Sequence, residues 1–248
     1  MMLKKFHILF KCEGDEFFMN NETYELYQGD CLVVMDKLIE DGIKVDAVIS
    51  DPPYGMEFKS NRRKEKYEKI SNDDDLSFLD EYFQKCNRLL KDDTHIYCFC
   101  SWHNIDKFKI AFEKYFTLKN IIVWEKNNAS MGDLYGSYAP KHEFILFGHK
   151  GRRLRNGKRL PDVIQAKRTG NKLHPTQKPV DLLEIFIKQS TNENDVILDS
   201  FMGSGSTGVA CLKTKRRFIG IEKEEKYFNI TKERLAYASL NNRQKKLF

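Results

Sequence analysis

Asp51, Pro52, Pro53 and Tyr54 follow directly on the apolar run Val45 to Ser50. The Asp51 carboxylate and the Pro52 carbonyl can both accept hydrogen bonds. The two prolines fix φ, so those acceptors are held in place without an ordering cost at each turnover. Tyr54 adds a flat ring beside them. Two acceptors next to a stacking ring make a grip for a planar heterocycle that carries an amino group.

A second set lies 150 residues further on, in "DVILDSFMGSGSTGVAC". Gly203, Gly205 and Gly208 have the GxGxxG spacing between a predicted strand and a predicted helix. Glycines there allow a tight turn and a close approach of ligand to backbone. The next strand ends at Glu222, an acid placed to accept hydrogen bonds from both hydroxyls of a ribose. Taken alone, this set suits a dinucleotide dehydrogenase. Asp199 and Phe201 just before the glycines argue otherwise. A carboxylate at the loop repels a pyrophosphate but attracts an ammonium or sulfonium. S-adenosylmethionine has both cations, a ribose and an adenine. The loop therefore reads as a nucleoside site without a phosphate.

Both sets need strand ends to hold them. Residues 45–50, 95–100, 119–126, 142–150, 195–200 and 216–222 read as strands. Helical spacing of apolar residues covers 77–90, 105–116, 179–191, 206–214 and 225–240. Alternation of this kind predicts an α/β, doubly wound, Rossmann-like and mostly parallel sheet, whose ligands sit beyond the carboxyl edge. The stretch 150–172 has little apolar periodicity and reads as a small, basic, loop-rich insertion.

The 248 residues carry a net charge of +6, unevenly spread. Segment 150–172 holds nine bases and one acid, leaving −2 for the rest; 59–69 holds six bases against two acids. Two basic segments on a nearly neutral body suggest a polyanion footprint. The six cysteines, at 12, 31, 86, 98, 100 and 211, contain no CxxC pair. Cys98, Cys100 and His103 lack a second paired half-site, so the thiols read as small apolar groups and no metal is expected. Free thiols suit a reducing cytoplasm. No apolar run approaches the ~20 residues of a membrane span. Residues 1–12 are too short and charged for a secretory signal; 1–18 read as a tail or an upstream start before Met19, 19–240 as the domain and 241–248 as a second tail.

"DPPYG" followed by "LDSFMGSGSTG" resembles the amino-methylating DNA methyltransferases, which modify adenine N6 or cytosine N4. The catalytic motif precedes the cofactor loop with the basic insertion between them, an order similar to the β group of that family. "YQGDCLVVMDKL" and "HPTQKPVDLLEIFI" resemble the family segments before each motif strand, so the likeness runs from about residue 24 to 238.

The resemblance implies catalysis by Asp51, Pro52, Pro53 and Tyr54, and a cofactor site for S-adenosylmethionine. That site takes Asp30 and Cys31 near the adenine, Glu222 at the ribose and Lys178 at the methionine carboxylate. It also takes Asp51, Asp199, Phe201, Gly203, Ser204 and Gly205 along the pocket. By position, the insertion matches the target-recognition region, so Arg152, Arg153, Arg155, Lys158, Arg159, Lys167 and Arg168 are expected to meet double-stranded DNA. Arg62 and Arg63 are expected in a basic loop that closes over it. His174 is expected to pack or cap rather than catalyse.

The Asp form of the motif leans towards adenine. Cytosine N4, RNA, a protein glutamine amide and a silent DNA-binding subunit stand as alternatives. Ring-carbon methylation of cytosine uses a Pro-Cys nucleophile, and no proline here precedes a cysteine. The short insertion hints at a homodimer, as is common in the β group. The terminal Gln244, Leu247 and Phe248 match a QxxLF peptide of the kind that docks on a sliding clamp.

Overall fold

A computed structural model describes residues 17–20, 22–55, 76–129, 134–170 and 173–244. In chain order it contains β1 (Phe17–Asn20), β2 (Tyr24–Gln28), α1 (Cys31–Glu40), β3 (Val45–Ser50) and α2 (Leu79–Leu89). Then follow β4 (Leu90–Cys100), α3 (Ile105–Glu113), β5 (Thr117–Lys126), β6 (His142–Lys150) and β7 (Val163–Ala166). The chain continues with α4 (Val180–Ser190), β8 (Val196–Asp199), α5 (Ser206–Lys213), β9 (Arg217–Glu222) and α6 (Glu225–Gln244). Every strand and helix expected from periodicity is present. β1, β2, α1 and β7 are additions; β7 makes a short ordered strand within the loop-rich insertion, and β1 begins inside the segment read as a tail.

The sheet has nine strands in the order β1-β2-β9-β8-β3-β4-β6-β5-β7. β2, β9, β8, β3 and β4 are mutually parallel. β6 is antiparallel to β4 and to β5, so β5, and β7 beside it, run with the parallel set. β1 is antiparallel to β2 at the other margin.

Two separate cores cover the sheet, which explains why its central strands are apolar on both faces. Val34, Met35 and Leu38 of α1, Tyr82 and Phe83 of α2 and Phe108 and Phe112 of α3 cover one face with Val48 and Ile96. Leu182 and Phe186 of α4, Ala210 of α5 and Phe228 and Leu235 of α6 cover the other with Ala47, Ile49 and Ile197. Cys98 and Cys100 lie within the first core, as expected of small apolar groups. Among the described residues no helix is long and apolar enough to cross a membrane.

The topology selects the place for chemistry. From β8 the chain crosses through α5 to β9 on one side; from β3 it crosses through α2 to β4 on the other. The strand order therefore reverses between β8 and β3, and their carboxyl ends flank the crevice that such a reversal opens. Asp199 and Asp51 stand at those two ends.

Candidate active site

Asp51 leaves β3 into a ring of buried or half-buried polar groups. The Tyr54 hydroxyl donates to its Oδ1, and Lys178 Nζ donates to its Oδ2 at 2.5 Å. Lys178 also lies 3.3 Å from the Tyr54 hydroxyl and 3.1 Å from Glu143 Oε2. Glu143 Oε1 is paired with Lys126 at 2.7 Å. Asn104 Nδ2 donates to the Tyr54 carbonyl at 2.7 Å and fixes the turn after the prolines. The Tyr54 ring meets Phe108 edge-on at 6.3 Å and packs against both cores.

The charges in this ring balance only through one another. Burial, the largest influence, raises the Asp51 carboxyl against the pull of Lys178, and Glu143 raises it further. Burial opposes the charge on Lys178, yet Asp51 and Glu143 together raise its pKa. Burial also works against ionised Glu143, but Lys178 and Lys126 hold it below the usual carboxylate range. The ring is thus two carboxylates and two ammoniums, with Lys178 shared.

The second half of the site is built differently. Thr207 donates to Asp199 Oδ2 at 2.6 Å, and the Phe201 N–H to Oδ1 at 3.1 Å. Glu222 Oε2 accepts from the Gly203 N–H at 2.8 Å and Oε1 from the Glu224 N–H at 2.9 Å. All four donors are neutral. Burial consequently pushes both Asp199 and Glu222 up to about 7.

Gly205 has φ +76° and precedes α5; a Cβ there would lie 2.6 Å from Thr231 Cγ2, so only glycine fits. Thr231 and Arg234 of α6 lock the loop by donating to the Gly203 carbonyl at 2.7 Å and the Ser204 carbonyl at 2.8 Å. Phe201 stands over α2, with its ring 5.4 Å from Tyr82. Asp30 caps α1 through the Leu32 N–H at 3.0 Å and lies 3.4 Å from Lys223. The Gly29 N–H donates to the Glu222 carbonyl at 3.0 Å, bringing Asp30 and buried Cys31 to the end of β9.

The expected residues are thus largely gathered on one edge, with one departure. Lys178, expected at a methionine carboxylate, has its ammonium on Asp51, in the Asp-Pro-Pro-Tyr turn. The departure is the insertion. β6 is antiparallel, so Lys150 lies at the amino edge, paired with Thr94. The Arg152 N–H donates to Asp93, Asn156 to the Gln189 and Thr191 carbonyls, and Arg155 to Gln189 at the far end of α4. The Arg153 carbonyl is 3.2 Å from His95 Nε2, a ring that burial and His149 hold neutral with a pKa of about 4. Asp51 follows Ser50, whose partner on β4 is Cys98. Five residues of β4 separate that level from Asp93, roughly 17 Å of strand. Arg152, Arg153 and Arg155 are therefore on the edge opposite Asp51, and Lys158 and Arg159 follow from them.

The other end of the insertion returns to the carboxyl edge, where Asp51 lies. β7 runs parallel to β5, the Ala166 carbonyl accepts from Trp124 Nε1 at 2.9 Å, and the Arg168 N–H donates to Asn127 at 2.9 Å. Lys167 and Arg168 are hence beside the carboxyl ends. Trp102, Tyr135 and Tyr138, which sequence reading passed over, are exposed on loops that leave the same edge. His174 accepts from the Thr176 N–H at 3.3 Å and packs edge-on against Tyr227, a local packing role as expected. Arg62, Arg63, Leu247 and Phe248, and the side chain of Gln244, lie outside the described residues.

Sequence reading also missed Glu143, Lys126 and Thr207. Glu143 had one signal, an acid near the start of an otherwise apolar strand; Lys126 had none.

The family model described as DNA methylase matches residues 45–233. YubD of Escherichia coli (strain K12) is 36% identical over 210 residues, covering 84% of this chain and 88% of that protein. The type II methyltransferase M2.MboI of Moraxella bovis is 32% identical and covers 88% of this chain and 89% of its own. Among solved structures, M1.HpyAVI in complex with SAM superposes with a TM-score of 0.70 at 31% identity, covering 86% of this chain and 99% of that one. The cytosine-N4-specific PvuII methyltransferase shares the fold, with a TM-score of 0.69 at 16% identity. With an Asp-Pro-Pro-Tyr turn and a glycine loop flanking one switch point, the chain belongs to the DNA methylase family of amino methyltransferases, whose targets are adenine N6 and cytosine N4.

Proposed function

We propose that this DNA methyltransferase acts on adenine N6 in duplex DNA, on a base turned out of the helix into the Asp51–Tyr54 turn. The observation that carries the reading is the Asp51 carboxylate, half-buried at the switch point beside a half-buried tyrosine ring. Asp at the first motif position is the form that the family resemblance associates with adenine.

S-adenosylmethionine supplies an electrophilic methyl group on a sulfonium. The residues present fit such a cation: Asp199 and Glu222 are buried with neutral donors only, so their charge is left for the ligand to balance. The glycine loop is held open by Thr231 and Arg234.

An aromatic amine is a poor nucleophile because its lone pair is delocalised into the ring. Asp51 and the Pro52 carbonyl accept its two hydrogens, which favours the pyramidal form and localises that pair. As the nitrogen bonds carbon, the methyl–sulfur pair stays on sulfur and positive charge grows on nitrogen. Asp51 stabilises that charge and accepts the proton that nitrogen then loses. Flipping is required because the amine is otherwise hidden in the stacked duplex.

Lys167, Arg168, Trp102, Tyr135 and Tyr138 share the catalytic edge, so DNA meets the protein there. Basic side chains suit phosphates, and exposed rings suit unstacked bases.

Methyl-labelled S-adenosylmethionine and unmodified duplex DNA test the reading, with digestion to nucleosides and mass spectrometry. Label in N6-methyladenine, absent with Asp51→Ala, is expected. Label in N4-methylcytosine overturns the assignment of the base.

A further inference from the structure

In the resting site both Asp51 oxygens are taken. Oδ1 accepts from Tyr54, and Oδ2 from Lys178 at 2.5 Å. An amine that is to be gripped by Asp51 must displace one of them. Tyr54 belongs to the turn itself and its carbonyl is pinned by Asn104, whereas Lys178 is a long side chain with three donors.

A destination for that lysine is already built. Glu143 Oε2 is buried and has no aligned hydrogen-bond donor, although Lys178 Nζ is only 3.1 Å away. The contact is within ion-pair reach but is not directed as a hydrogen bond. A buried carboxylate oxygen without a directed donor is costly, and a small shift of one ammonium would satisfy it. Glu143 Oε1 is meanwhile fixed by Lys126 at 2.7 Å, so the vacant oxygen is held facing the lysine. Lys178 also lies 5.0 Å from the Phe99 ring centroid and 5.7 Å from that of Tyr54, aromatic faces that tolerate an ammonium across the short path between the carboxylates.

We propose that Lys178 is an exchangeable counter-ion: it masks Asp51 in the free enzyme and moves to Glu143 when the target amine docks. Glu143 and Lys126 are positioning residues, acting on the reaction only through Lys178. The exchange keeps every buried charge partnered throughout. Asp51 trades the ammonium for the amine, and Glu143 Oε2 gains its missing donor. No charge enters or leaves the site until methyl transfer makes the nitrogen cationic, and Asp51 is then free of a competing ammonium. The inference rests on the proposed grip of Asp51 on an amine, though not on which base carries it.

The test is single-turnover methylation of DNA at saturating S-adenosylmethionine. Glu143→Gln removes the destination charge while keeping size, so Lys178 stays on Asp51. The rate should fall roughly 10- to 100-fold, the equivalent of one charged hydrogen bond, with cofactor affinity unchanged. In a Lys178→Met background the same substitution should change the rate less than about twofold, because its effect runs through the missing lysine. Glu143→Asp keeps the destination charge, so it should recover most of the rate that Glu143→Gln loses.

Multiplicative losses in Glu143→Gln/Lys178→Met would show a purely structural role and overturn the proposal. So would wild-type rates in Glu143→Gln, or a loss in Glu143→Asp as large as in Glu143→Gln. Failure of Glu143→Gln to bind cofactor would overturn it as well, because its effect is expected to run only through Lys178 and Asp51. A wild-type enzyme that labels no base in DNA refutes the functional reading itself, a result distinct from all of these.

Discussion

The two halves of the site treat buried carboxylates in opposite ways. Asp51 and Glu143 are balanced by Lys178 and Lys126, so that half is neutral before any ligand arrives. Asp199 and Glu222 receive only a hydroxyl and backbone amides, and burial lifts both to about 7. In the proposed reading the difference matches the charge of what each half holds. A sulfonium ligand brings its own positive charge, so carboxylates short of compensation attract it. A base amine is neutral, so the acid proposed to grip it carries an internal counter-ion.

The sharpest way to break this comparison is to remove the acid on the neutral side. Asp51→Ala should lower single-turnover methyl transfer by about 10³-fold or more, while cofactor affinity measured by calorimetry changes little. A comparable loss of cofactor binding would show that the two halves are not separable.

On the uncompensated side the effect should lie in binding. Asp199→Asn or Glu222→Gln should weaken S-adenosylmethionine by about 10- to 100-fold, as expected for a buried charged interaction. Both acids are raised in the fold, so the folded protein binds extra protons between the ordinary carboxylate range and about 7. Their contribution to stability is therefore fully present below about 4 and declines as the pH rises towards about 7. Cofactor affinity should move the other way, rising across the same window as the acids ionise. Denaturant unfolding of the cofactor-free protein at pH 5 and pH 8 tests the first statement, and Asp199→Asn should flatten the slope.

A smaller effect is expected from the hydroxyl that holds Asp199. Thr207→Val should cost about 1–3 kcal/mol in equilibrium unfolding at pH 8, where the acid is mostly charged and left short of a donor. The cost should shrink at pH 5.

The least effect is predicted for the amino-edge bases. Lys158→Ala/Arg159→Ala should change DNA affinity by about twofold or less, against about tenfold for Lys167→Ala/Arg168→Ala. The salt dependence of binding should become shallower only in the second pair. Equal losses would put DNA on both edges.

Those two ends of one insertion also show where sequence reading stopped. The β-branched run before Asp51, the GxGxxG spacing and the acid ending the next strand are local features with local physical consequences. They marked the two strand-end turns that carry Asp51 and Asp199, and the α/β class. The amphipathic helices were legible for the same reason, since an apolar face recurs at helical spacing in the chain itself. β7 was passed over because its alternation, with Ile164 and Ala166 half-buried between exposed neighbours, lasts only four residues.

What the chain by itself determined, then, is which chemical groups exist and which turns present them: an acid fixed between a strand and two prolines, and glycines in the turn between a strand and a helix. The partnerships were decided by tertiary structure. Lys178 meets Asp51 across 127 residues, and Glu143 meets Lys126 across two antiparallel strands. The direction of β6 was likewise invisible, because a strand's apolar pattern reads the same in either sense. That direction sends the chain to the amino edge at Lys150, and so carries Arg152 to Arg159 away from the site that their charge and order seemed to serve. Periodicity records which side chains are buried; only packing sets which way a strand runs and which distant charge it meets.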